Sequence, residues 1–169
     1  MSPSLEMKVR PVWDEVERVR NETMAFLEQH AFSEETVQSL GMVASELCEN
    51  AVKYGCFSGH QENSPIIEVI VRFNEQRSRV LVRVIGPVQI GNNPHFRRFK
   101  ETLDWLQSHE NPMEAYLEKM QAVALTDPMD SKSGLGLPRI AYEGQSLLSY
   151  ELDDHDRLAV SAVHYPGRV

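Results

Sequence analysis

The residues with the most chemical content lie on one segment, 43–55, where Glu46, Asn50 and Lys53 recur at intervals of four and three. At about 100° per residue these spacings place a carboxylate, a carboxamide and an amine together on one side of a helix, opposite an apolar stripe. The set suits a magnesium-nucleotide site. An amide oxygen is a hard ligand for magnesium, a carboxylate can orient or deprotonate an attacking hydroxyl, and an ammonium can meet phosphate. Solvation alone also puts polar residues on the outer face of an amphipathic helix, so the spacing has a purely structural reading beside the chemical one. A second candidate is Gly134-Leu135-Gly136-Leu137. Glycines before a helix let backbone N–H groups approach phosphate oxygens, although a Gly-x-Gly is more often a simple turn.

Positioning these groups requires a long helix and a scaffold behind it. Ser33 is a good N-cap followed by Glu34 and Glu35; Val37, Leu40, Ala44, Leu47, Cys48 and Ala51 then share a face, and Gly55 offers a stop. A shorter helix precedes it, with Val12, Val16, Val19, Thr23, Phe26 and Leu27 at helical spacing. An alternating segment, 6–10, opens the chain as a strand, and the β-branched runs 66–73 and 80–85 read as a hairpin. Two helical segments follow, the first carrying Phe96, Phe99, Leu103 and Leu106 and the second Met113, Tyr116, Leu117 and Met120; they form a lid-like insertion at about 94–125. A polar stretch, the glycine motif, a short helix ending near Gly144 and a last pair of strands, 146–152 and 157–164, complete the order. That order predicts an α+β fold, a two-layer sandwich with helices on one face of a mostly antiparallel sheet, built as a single domain over 1–169.

Composition narrows the function. Apolar residues make up 41% and charged residues 25%, as in ordinary globular domains. The net charge of −8 opposes direct nucleic-acid binding, and the basic run around Arg97, Arg98 and Lys100 reads as a solvated helical surface. Cys48 and Cys56 lack metal-ligand spacing, no stretch is apolar enough to span a bilayer, and a cytoplasmic location is expected.

Residues 43–55 resemble the N-box of the GHKL superfamily of ATPases, in the form found in bacterial anti-sigma factors and serine-protein kinases. Glu46 falls on the family's catalytic base and Asn50 on its magnesium ligand, with Ser45, Ala51, Val52 and Tyr54 fitting the surrounding pattern. Residues 133–137 resemble the family's G2 box, which follows the ATP lid. The resemblance implies the Bergerat (histidine-kinase-like ATPase) fold, ATP and Mg2+ as cofactors, and nucleotide contacts from Asn50, Lys53, Gly134, Leu135, Gly136 and Leu137. It further implies a STAS-domain anti-anti-sigma protein or a sigma factor as partner, and a homodimer.

One box departs from the family. The strand ending at Ile85 runs into Gly86-Pro87-Val88, so Gly86 stands where the family's adenine-contacting Asp is expected. Losing one buried hydrogen bond to the base weakens binding by about one to two decades. Asn92, Asn93 and Asp127 are candidate substitutes. The alternative function is a degenerate domain that no longer binds ATP and works as a protein-docking module.

Overall fold

The computed structural model describes residues 2–57, 66–124 and 136–167. Strand β1 (Ser4–Val9) is followed by helices α1 (Asp14–Gln29) and α2 (Glu34–Tyr54), the hairpin β2 (Ile67–Phe73) and β3 (Val80–Pro87), and helices α3 (Pro94–Gln107), α4 (Pro112–Ala124) and α5 (Gly136–Tyr142). The hairpin β4 (Ser146–Leu152) and β5 (Arg157–His164) ends the fold. The five strands form one sheet in the order β1-β2-β3-β5-β4, with every neighbouring pair antiparallel.

Strict alternation gives the sheet its two faces. Ile67, Val69, Val71 and Phe73 of β2 and Val80, Val82 and Val84 of β3 are buried beneath the helices, whereas Arg72 points away into solvent. On that outer face Glu68 pairs with Lys8 of β1 and, at 3.2 Å, with Arg157 of β5. Because β5 returns to pair with β3, the end of β3 lies beside the start of β5, with Gly86 opposite Leu158 and Pro87 opposite Arg157.

Helix α2 is set by its cap and its stripe. The Ser33 hydroxyl accepts a hydrogen bond from the Thr36 amide at 3.2 Å, and Val37, Leu40, Val43, Ala44, Leu47 and Cys48 are sealed against the sheet and α1. Gly55 does end the helix, but in extended rather than left-handed backbone. What requires glycine is crowding: a Cβ there would lie 2.5 Å from the Ala51 carbonyl oxygen and 2.3 Å from the Phe57 ring. Beyond it the Cys56 amide donates to Pro87 O at 3.1 Å, tying the end of α2 to the end of β3.

Helix α3 buries Phe96, Phe99, Leu103 and Leu106 as their spacing predicts, leaving Arg97, Arg98 and Lys100 exposed. Helix α4 behaves differently. It packs through Ala115, while Met113, Leu117 and Met120 remain exposed. Among the described residues no helix is long and apolar enough to cross a membrane.

Candidate functional site

The buried stripe of α2 fixes the rotation of the helix, and that rotation turns Glu46 toward α5 rather than into bulk water. Its side chain keeps 18% of its surface accessible, and Oε1 accepts from Arg139 Nη1 at 3.3 Å. A Cβ added to Gly136, the first residue of α5, would lie 3.0 Å from Glu46 Oε2, a tight contact that would crowd that side of the carboxylate. Burial, then the neighbouring Glu49, push the Glu46 carboxyl above the usual carboxylate range; Arg139 and Lys53 oppose the shift and Glu143 adds to it.

One turn further along α2, Asn50 presents an amide nitrogen that is shut off from solvent and has no hydrogen-bond partner among the described residues. Native structures seldom leave such a group unpaired without a ligand or water to meet it. Lys53 is exposed and lines a cavity of about 320 Å3, which also borders Cys56, Phe57, Gln89, Asn92 and His95. The three polar residues of α2 therefore differ in setting: Glu46 and Asn50 are covered, and only Lys53 occupies the solvated face expected for all three.

The other sequence-derived candidates divide clearly. Gly136 lies against Glu46; the Leu137 side chain is buried in the core, leaving only its backbone for a ligand. Gly134 and Leu135 lie outside the described residues, as does Asp127. Gly86 is buried, and a Cβ there would face Ala51 at 3.9 Å and Ile67 at 3.5 Å, an apolar setting. Asn93 is committed elsewhere. Its Oδ1 accepts from the His95 and Phe96 amides at 3.1 Å, capping α3, and its Nδ2 donates to Tyr54 O at 3.1 Å. Asn92 is exposed at the cavity, in left-handed backbone with φ 58°. Ser45 and Tyr54 are structural: the Ser45 hydroxyl donates to Met42 O at 2.9 Å, and the buried Tyr54 ring lies 5.2 Å from that of Phe99.

Sequence reasoning missed Arg139 and the residues that hold it. Arg139 Nε donates to Glu143 Oε2 at 2.6 Å, and the Tyr116 hydroxyl of α4 donates to Glu143 Oε1 at 3.1 Å. The four-residue spacing of Arg139 and Glu143 was a readable signal; the pairing of Arg139 with Glu46 spans 93 positions and leaves no local trace. The two thiols, neither in a disulfide, also differ. Burial pushes Cys48 up to about 12, whereas Cys56 is only partly buried, at the cavity wall.

No protein-family model matches the chain, and no curated protein matches it by sequence. Solved structures share its fold, two of them as follows. One, the SiaB-SiaC complex from Pseudomonas aeruginosa, superposes with a TM-score of 0.65 at 15% identity, over 94% of this chain and 88% of the other. The second, the RsbU and RsbW domains of Rv1364c from Mycobacterium tuberculosis, gives 0.54 at 14% identity; it covers 99% of this chain, which spans only 33% of that protein.

The chain has the two-layer Bergerat fold.

Within this fold the donor set around α2 fits a magnesium-bound nucleotide in part. The unpartnered Asn50 amide end is either a donor or, with the amide turned over, an oxygen available to a hard cation. Exposed Lys53 can neutralise phosphate, and the Glu46 carboxylate has one oxygen tied to Arg139 and one facing Gly136. Among the described residues only the apolar Ile67 and Ala51 side chains lie within 4 Å of where a Gly86 Cβ would stand, so none there offers an acceptor to an adenine amino group.

Proposed function

We propose that this chain is an ATP-binding regulatory protein of partner-switching type, an anti-sigma factor or serine/threonine protein kinase acting on a STAS-type antagonist. The observation that carries the reading is the approach of Glu46 to Gly136, which brings the carboxylate of the N-box-like helix against the glycine motif. The fold shared with a structure solved as the SiaB-SiaC complex supports a protein partner.

Magnesium-ATP, when bound, supplies the transferable phosphoryl group. Asn50 would hold the metal and Lys53 would meet phosphate charge from the solvent side. Glu46 would take the proton of a serine or threonine hydroxyl whose oxygen receives the terminal phosphoryl group, ADP being the leaving group. Burial of Glu46 excludes competing water and raises its proton affinity toward what a base working near neutrality needs. On the insertion, Met113, Leu117 and Met120 give α4 an exposed apolar stripe of the kind protein partners cover.

The apolar setting of Gly86 favours a second reading, a docking module that has lost adenine recognition. Titration calorimetry with magnesium-ATP separates the two. Heat with a dissociation constant of about 100 μM or tighter, abolished by Asn50→Ala, supports the nucleotide reading. Absence of heat at millimolar ATP, with the protein still binding a STAS-domain partner, rejects it in favour of docking alone. Transfer of labelled phosphate to that partner, lost in Glu46→Ala, establishes the kinase; ATP binding with no transfer by the wild type leaves an anti-sigma role and removes the enzymatic one.

A further inference from the structure

Glu46 does not stand alone. Oε1 is tied to Arg139 Nη1 at 3.3 Å, and the same guanidinium uses a second edge, Nε, to hold Glu143 Oε2 at 2.6 Å. Glu143 is held in turn by the Tyr116 hydroxyl at 3.1 Å, on a ring whose centroid lies 5.1 Å from that of Tyr142. The chain of contacts begins on α4, passes through Glu143 and Arg139 at α5 and finishes on α2, so α4 is linked to the Glu46 carboxylate through α5.

We propose that Arg139 is a positioning residue for the Glu46 carboxylate, and that the helical insertion sets its place through Tyr116 and Glu143. The inference rests on the reading of Glu46 as the proton acceptor and adds the device that orients it. A guanidinium is a planar fork with fixed donor directions. Anchored on Glu143 by one edge, it reaches Glu46 in one orientation and engages Oε1 only. Oε2 is left on the side that Gly136 keeps clear, where a substrate hydroxyl would have to arrive.

The charges around Glu46 give Arg139 a second task. On α2 itself stand Glu49, which opposes ionisation, and Lys53, which favours it; from the α5 side come Arg139, which favours it, and Glu143, which opposes it. Burial opposes ionisation most of all. A base must be ionised to accept a proton, so the placement of Arg139 governs both the direction and the protonation state of the carboxylate. Any movement of α4 that withdraws Tyr116 frees Glu143 and loosens the arginine.

The test is carbon-detected NMR titration of the Glu46 carboxyl in the full chain labelled at glutamate, without nucleotide. Arg139→Gln is expected to raise the Glu46 midpoint by on the order of one pH unit. Arg139→Lys, which keeps the charge and loses the fork, is expected to fall between. Tyr116→Phe is expected to raise it by a smaller step that vanishes in the Arg139→Gln background, as coupling through one path requires. An unmoved midpoint in both Arg139 variants overturns the positioning role. A Tyr116→Phe shift that persists without Arg139 overturns the link to the insertion. In the phosphate-transfer assay the same variants should lower kcat about tenfold at unchanged KM for ATP and move the acidic limb of the pH profile upward. A wild type that transfers no phosphate defeats the kinase reading, while the titration still decides whether Arg139 holds Glu46.

Discussion

Asn50 and Glu15 are both covered polar groups, and their opposite circumstances lead to opposite predictions. Asn50 has an amide nitrogen without a partner among the described residues, and a buried donor left unmet costs about 1–3 kcal/mol. Asn50→Leu is therefore expected to raise apo stability by roughly 1 kcal/mol in urea unfolding while removing the heat of magnesium-ATP binding. A variant that is less stable would mean that the amide is satisfied in solution. Glu15 is buried but well served: Arg18 Nε donates to it at 2.6 Å and Arg10 Nε at 3.0 Å, and these contacts hold its carboxyl down to about 2. Since the folded value lies below the unfolded 4.5, the stabilisation is present above pH 4.5 and is lost as the pH falls toward 2. It amounts to about 1–2 kcal/mol, because water partly screens the half-exposed arginines. Urea midpoints of wild type and Glu15→Gln should differ near neutrality and converge in acid. At this scale the sequence was legible for Glu46 and Asn50, whose common side of α2 follows from helical period. It was silent on Arg139, because a contact across 93 positions depends on how α5 is laid over α2.

How α5 is laid down is a matter for the elements. Gly144 lets the end of that helix come close to α2: a Cβ there would stand 2.6 Å from Val43 Cγ2 and 2.5 Å from the Ile140 carbonyl oxygen. Its own carbonyl accepts from the Ser146 hydroxyl and from His164 Nδ1, both at 2.9 Å, which anchors the turn to the sheet. Gly144→Ala should cost about 1–3 kcal/mol and shift the Arg139 and Glu46 side-chain resonances together, because the helix must back away from α2. Loss of stability without those shifts would locate the strain elsewhere. Element boundaries were largely legible, since caps such as Ser33 and alternation such as that of β2 are local effects. The packing of α4 was not. Met113, Leu117 and Met120 have the spacing of a core stripe, yet α4 packs through Ala115, and nothing within thirteen residues shows which side a neighbour will take.

At the scale of the whole molecule the insertion is less separate than its position in the chain implies. Phe99 of α3 sits between Tyr54 of α2, at 5.2 Å, and Tyr150 of β4, at 5.7 Å, so this helix belongs to the core, and only α4 is peripheral. Phe99→Ala is accordingly expected to cost about 3–5 kcal/mol and to lower the melting temperature of the entire fold in a single transition. A two-step melt, with the insertion releasing first, would contradict that assignment. The strand order explains why the insertion is tolerated: β3 and β5 are neighbours in the sheet, so the helices between them leave the layer and return without breaking a pairing. The α+β class was readable because layer order follows from element order. The burial of α3 was readable only in its apolar spacing, with no sign of which elements it would meet.

The unlike burial of the two sulfurs gives the protein a built-in attachment point. Cys48 is sealed within the core with its proton held tightly, while Cys56 stands at the wall of the cavity beside Lys53. Maleimide dyes react with accessible thiolate, so a brief exposure should decorate Cys56 alone. The fluorescence of that adduct would then report, without any further engineering, when something enters the space next to it.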